Sequence, residues 1–131
     1  SQEKKIGKYS VQSLDAFALC LRDAQMTLYG AEWCPHCQVE APEIQRFQDE
    51  FKDKANILVI YSNNRSSEAK VKEFLAKNGY TYPAYYDADG KITEGFNVEG
   101  FPFNMILDGD KVVKVIEGEL TYEDLKENLL K

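Results

Sequence analysis

Apolar positions change period several times along this chain, and each change marks an element. In "SLDAFALCLRDA" (13–24), Leu14, Phe17, Ala18 and Leu21 fall at helical spacing behind Ser13, a suitable N-cap, so the pattern predicts an amphipathic helix. "MTLYGA" (26–31) and "NILVIYS" (56–62) are short, mostly apolar runs of the kind found in buried strands. Between them, Ile44, Phe47 and Phe51 recur at spacings of three and four in "CQVEAPEIQRFQDEFKDK". That predicts a helix carrying Pro42 inside it, where one backbone hydrogen bond is lost and a kink is expected. "SSEAKVKEFLAKNG" (66–79) predicts another helix, with Val71, Phe74 and Leu75 inward and Gly79 as its stop. "YPAYYDADGKI" holds a short strand and then a D-G turn. In "FNMILDGDKVVKVIEG" (103–118), two β-rich runs flank "DGD", the strongest hairpin signal in the chain. "TYEDLKENLLK" closes the chain as a helix, with Thr121 and Asp124 spaced as a capping box.

The order is therefore β-α-β-α, a short strand, a hairpin and a final helix, with one helix in front. Alternating strands and helices need right-handed parallel crossovers, and the closing hairpin adds antiparallel edges. The class is α/β: a central mixed sheet with helices on both faces. The length of 131 residues suits a single domain over 1–131 with a core of its own, and the polar residues 1–10 are expected to be a flexible lead-in.

Charge and composition narrow the classes. A net charge of −6 and no long basic run argue against a nucleic-acid partner. No apolar run approaches the roughly 18 residues of a membrane span, and the polar opening "SQEKKIGKYS" is no signal peptide. Three cysteines are too few for a secreted disulfide framework, and their number is odd.

Two of them sit three apart in "AEWCPHCQVEAP" (31–42), at the junction of a predicted strand and helix. Cys34 then falls at the helix N-cap, Pro35 at N1 and His36 at N2. There Cys34 faces unpaired N–H groups and the positive end of the helix dipole, both of which favour a nucleophilic thiolate. Cys37 follows at nearly one helical turn, within reach of a disulfide, so the spacing suits a pair in which Cys34 attacks and Cys37 resolves. His36 either stabilises charge on the Cys34 sulfur, making the disulfide more oxidising, or is a surface residue at a helix start. Structural zinc is the main rival use of a CxxC, but it wants four ligands, and there is neither a second CxxC nor a His outside the motif. No metal site is expected.

With Trp33 directly before Cys34 and "GFP" at 100–102, the chain resembles the thioredoxin superfamily. From about residue 13 to the end it is most similar to the TlpA/ResA-like branch. "WCPHCQVEAP", the helix at 66–79, the "YPAYYDADGKI" segment and "MILDGDKVVKVIEG" carry that likeness. The resemblance implies a thioredoxin fold, with a TlpA/ResA-like extra strand–helix segment before a cis proline at Pro102, packed against the cysteines. It also implies that Glu40 manages the proton of the buried thiol. The residue alone leaves open a solvated Glu in the first turns of the helix. Ordinary thioredoxins carry an Asp in the preceding strand, where this chain has Leu28. The branch also has a proline at the place of Pro42. Phe101 and Phe103 depart from the family's usual residues beside the proline. Phe101 either adds apolar area beside Cys34, in the groove it would share with Pro102, or turns into the core. Cys20 matches no motif and reads as a buried, inert thiol.

The expected function is protein thiol–disulfide oxidoreduction through a mixed disulfide on Cys34. No cofactor beyond the thiols is implied. The partners would be client proteins bearing thiols or disulfides and an upstream redox protein, and the chain itself would be monomeric. The dipeptide of "CPHC" is that of the strongly oxidising DsbA group, whereas the TlpA/ResA-like branch mostly reduces. The potential is expected to be more oxidising than thioredoxin's, with the physiological direction open. The resemblance favours the periplasm or cell surface, with the signal or anchor absent from this chain, although related sequences also occur inside cells. A second class is a thioredoxin-fold binding module without turnover.

Overall fold

The computed structural model describes residues 4–6, 9–11, 24–109 and 111–130. In chain order these form β1 (Lys4–Ile6), β2 (Tyr9–Val11), β3 (Met26–Gly30), α1 (Pro35–Phe51), β4 (Ile57–Ser62), α2 (Glu68–Asn78), β5 (Ala84–Asp87), α3 (Lys91–Gly95), β6 (Phe103–Asp108), β7 (Lys111–Glu117) and α4 (Tyr122–Leu129). Five strands make one sheet in the order β5-β4-β3-β6-β7. β3, β4 and β5 run parallel, with Leu28 opposite Val59 and Ile60 opposite Tyr85. β6 and β7 join antiparallel, with Leu28 opposite Asn104 and Asn104 opposite Ile116. This is the predicted mixed sheet: every residue of β3 and β4 is buried, which explains their unbroken apolar runs.

Leu28, Val59 and Tyr61 share one face with Ile44 of α1 and Phe74 of α2. α4 packs on α1 there through the rings of Phe51 and Tyr122. Tyr29 points to the opposite face, where Phe96, just past α3, and Phe103 close on it. The caps are those read from the sequence. Ser67 accepts from the Lys70 N–H, Gly79 ends α2 at φ 69°, and Thr121 and Asp124 complete a capping box. α1 runs through Pro42 to Phe51, with Ala41 and Ile44 buried on either side of the proline.

Three features differ from the sequence reading or lie beyond it. Residues expected to be a flexible lead-in include β1 and β2, which pair antiparallel with Lys5 opposite Ser10. The short α3 was not predicted. The buried Asp87 builds it, accepting the N–H groups of Ile92 (3.3 Å) and Thr93 (2.9 Å) and the Thr93 hydroxyl (2.7 Å). A five-residue helix is too short to leave a periodic signature, and its capping carboxylate sits a turn upstream. The predicted helix at 13–24 and Cys20 fall outside the described residues, apart from Ala24. Among the described residues, no helix is long and apolar enough to cross a membrane.

Candidate active site

β3 ends at Gly30, a short loop follows, and α1 starts at Pro35 with Cys34 as its N-cap. The Cys34 sulfur accepts the Cys37 backbone N–H at 3.2 Å and lies 3.8 Å from the Phe101 carbonyl, to which its thiol donates. α1 has no acidic side chain in its first turn, so nothing there cancels the field of the helix terminus that Cys34 caps. Phe101–Pro102 is a cis peptide bond, as the resemblance implied. Both cysteines are thiols, 5% and 7% exposed. Cys34, Cys37 and Ala31 form a small apolar cluster with Trp33 and Phe101 packed against it.

Trp33 is held on three sides. Its indole N–H donates to the Asn64 carbonyl (2.8 Å), the Arg65 guanidinium lies 4.0 Å over its ring, and Phe101 meets it edge-on at 6.3 Å. Phe101 also packs on the main core, so it joins the two apolar clusters rather than choosing between them. Gln38 Nε2 donates to the Glu32 carbonyl (2.8 Å) and braces the loop that carries Trp33.

Burial raises the Cys37 thiol well above its ordinary range, and the Cys34 sulfur and Glu40 carboxylate add to the effect. A void of about 10 Å³ behind it is bounded by Leu28, Gly30, Ala41, Tyr61 and Tyr82. Gly30 matters for this seat: a Cβ there would stand 3.2 Å from the Cys37 sulfur and 3.1 Å from Leu28 Cδ2.

Glu40 is fully buried. Its Oε1 accepts the Leu120 N–H at 3.0 Å, while Oε2 has no donor. Burial pushes the carboxyl up to about 8; the Leu120 N–H and the Asn104 side chain oppose it, and the charges of Glu119 and Asp124 push the same way as burial. The solvated alternative for this residue is therefore not what the fold builds. His36 Nδ1 is 2.5 Å from Glu119 Oε2, and its side chain is 70% exposed. The sequence reading missed Gly30, Asn64, Arg65, Asn104 and Glu119. None stands at a motif spacing, and all but Gly30 reach the site from another element.

Comparisons agree with this geometry. The Redoxin family model matches residues 20–129. The chain belongs to the Redoxin family. It is 30% identical to the thiol-disulfide oxidoreductase ResA of Bacillus thuringiensis subsp. konkukian, over 99% of this chain and 80% of that one. The solved structure of StoA from Bacillus subtilis superposes with a TM-score of 0.73 at 25% identity, covering 78% of each chain. A thiol:disulfide interchange protein of the thioredoxin family from Chlorobium tepidum gives 0.76 at 21% identity, covering 99% of this chain and 96% of that one. The chain is thus a TlpA/ResA-like member of the thioredoxin superfamily and a thiol–disulfide oxidoreductase, with its CxxC pair at Cys34 and Cys37. Among the described residues, no group of three or more His, Cys, Asp or Glu side chains could hold a metal ion.

Proposed function

We propose that Cys34 forms the mixed disulfide with a client protein and that Cys37 resolves it. The asymmetry of the two thiols carries this reading: Cys34 caps α1 beside cis-Pro102, whereas Cys37 is seated behind it in apolar surroundings. In the oxidising direction a client thiolate attacks the Cys34 sulfur of the disulfide, and Cys37 leaves with the bonding electron pair. A second client thiolate then attacks the client's own sulfur and releases Cys34, so the client gains a disulfide and the pair becomes a dithiol. The reverse sequence reduces a client. No cofactor is needed beyond the thiols, and an upstream redox protein resets them.

Trp33 and Phe101 line the approach, and Pro102 with the Phe101 carbonyl meets the reacting sulfur. Glu40 exchanges protons with Cys37. We place the protein outside the cytoplasm, on its likeness to the ResA branch.

Its potential is more oxidising than thioredoxin's, about −270 mV. "CPHC" supports this, with His36 at the helix start beside Glu119. The test is equilibration with glutathione, wild type beside His36→Gly. A wild-type value above thioredoxin's that falls in the variant is expected. A value near thioredoxin's, or one unmoved by His36→Gly, overturns the assignment.

A further inference from the structure

The parallel strands β3, β4 and β5 end on one rim of the sheet, and in such sheets ligands settle beyond the strand ends. The reacting pair follows β3. Beyond β4 and β5 lies a groove of about 360 Å³. Ser62 and Asn64 line it at the end of β4, Glu94 and Asn97 at the end of α3, and Glu99 and Phe101 ahead of cis-Pro102. Two of these residues also belong to the reacting site. The Phe101 carbonyl meets the Cys34 thiol, and the Asn64 carbonyl takes the Trp33 indole N–H. The groove therefore continues the surface that any partner of Cys34 must cover.

The polar groups of the groove are unspent. Ser62 is 3% exposed, and its Oγ accepts the Asn64 N–H at 3.0 Å. Among the described residues, no group accepts the hydrogen of that hydroxyl. A serine hydroxyl donates as well as accepts, and a buried donor is costly to leave unmatched. Asn97, at φ 54°, turns the chain between the two acids. The Glu94 and Glu99 carboxylates make no ion pair among the described residues, and no lysine, arginine or histidine lines the groove. Anions are repelled here. A bare metal ion would find too few ligands, because among the described residues no three His, Cys, Asp or Glu side chains gather to hold one.

We infer that the groove seats the stretch of client chain beside its reacting cysteine and selects a stretch carrying lysine or arginine, which Glu94 and Glu99 receive. The Ser62 hydroxyl donates to a backbone carbonyl of the same stretch. A polypeptide attached to Cys34 is the one occupant that supplies a cation, a carbonyl acceptor and a reason for the groove to adjoin the thiol. The inference deepens the proposed function and rests on its mixed disulfide at Cys34.

Oxidation of short dithiol peptides by the disulfide form of the protein tests this. The peptides differ only in carrying arginine, glutamine or glutamate beside the first cysteine, and each kcat/KM is corrected for that peptide's own rate with glutathione disulfide. Arginine should lead glutamate by about three- to tenfold at low salt. The lead should shrink toward equality near ~1 M salt, where the screening length is about 3 Å. It should disappear in the Glu94→Gln, Glu99→Gln double variant. It should persist in Glu73→Gln, Glu127→Gln, which removes the same charge from exposed positions on α2 and α4 outside the groove. Equal rates for the three peptides overturn the inference. So does a lead that survives the first double variant, or one that the second abolishes, because the net charge of the protein would then be its source. Insulin reduction by the wild type reports separately on the redox reading.

Discussion

Replacing Glu40 with Gln should flatten part of the pH dependence of stability. Folding buries the carboxyl completely and raises it from 4.5 to about 8. Between those values the folded chain holds a proton that the unfolded chain has released. A group raised by folding contributes its full stability below its unfolded value and loses it as pH climbs through the folded value. The interval from 4.5 to about 8, at about 1.4 kcal/mol per pH unit, integrates to about 5 kcal/mol. That is a large share of the roughly 5–15 kcal/mol that holds a domain together. Gln copies the neutral acid in shape, and its carbonyl can accept the Leu120 N–H. The assay is urea unfolding of the reduced protein at steps from pH 4.5 to 8.5, wild type against Glu40→Gln. Subtracting the two curves removes the other carboxylates. The difference should be small at pH 4.5 and grow in favour of Gln by several kcal/mol toward pH 8.5. A difference that stays level across the range would refute the claim that burial holds this proton.

Two further substitutions probe the seat of the reacting pair. Gly30→Ala places a methyl 3.2 Å from the Cys37 sulfur and 3.1 Å from Leu28 Cδ2, so it should cost about 1–3 kcal/mol and slow resolution of a trapped mixed disulfide. Wild-type urea midpoint and resolution rate together would show that the seat has room to spare. Phe101→Ala removes the edge-on ring beside Trp33, a pair worth about 0.5–1.5 kcal/mol, and should raise the KM for a reduced client severalfold while leaving the glutathione-equilibrated potential in place. A wild-type KM would assign Phe101 to the core alone.

Local signals in the chain were reliable where local physics decides. The unbroken apolar runs of β3 and β4, the "DGD" hairpin, Gly79 and the Thr121 box are consequences of nearest neighbours, and the structure places each as read. The same holds for Cys34 at the N-cap and Pro35 at N1, because a proline after a capping residue fits only the start of a helix. β1, β2 and α3 are each five residues or fewer and leave no periodic signature. The side chains that set the chemistry of the pair follow another rule. Asn104 arrives because β6 pairs with β3, Leu120 and Glu119 because the β7–α4 link crosses the start of α1, and Asn64 and Arg65 because the loop after β4 lies over Trp33.

That division bears on direction of electron flow. The "CPHC" dipeptide is local, so its pull toward an oxidising potential is readable in sequence. Its partner is not: Glu119, 83 residues from His36, takes up the imidazole, and the next residue's N–H holds Glu40. One short segment therefore touches both residues from which direction was read. The negative charge of Glu119 also acts on Glu40, raising it. Glu119 thus meets the imidazole of the dipeptide directly and acts on the buried carboxyl through its charge. The dipeptide and the buried carboxyl are two ends of one electrostatic arrangement, and neither can be weighed as an independent vote for oxidation or reduction.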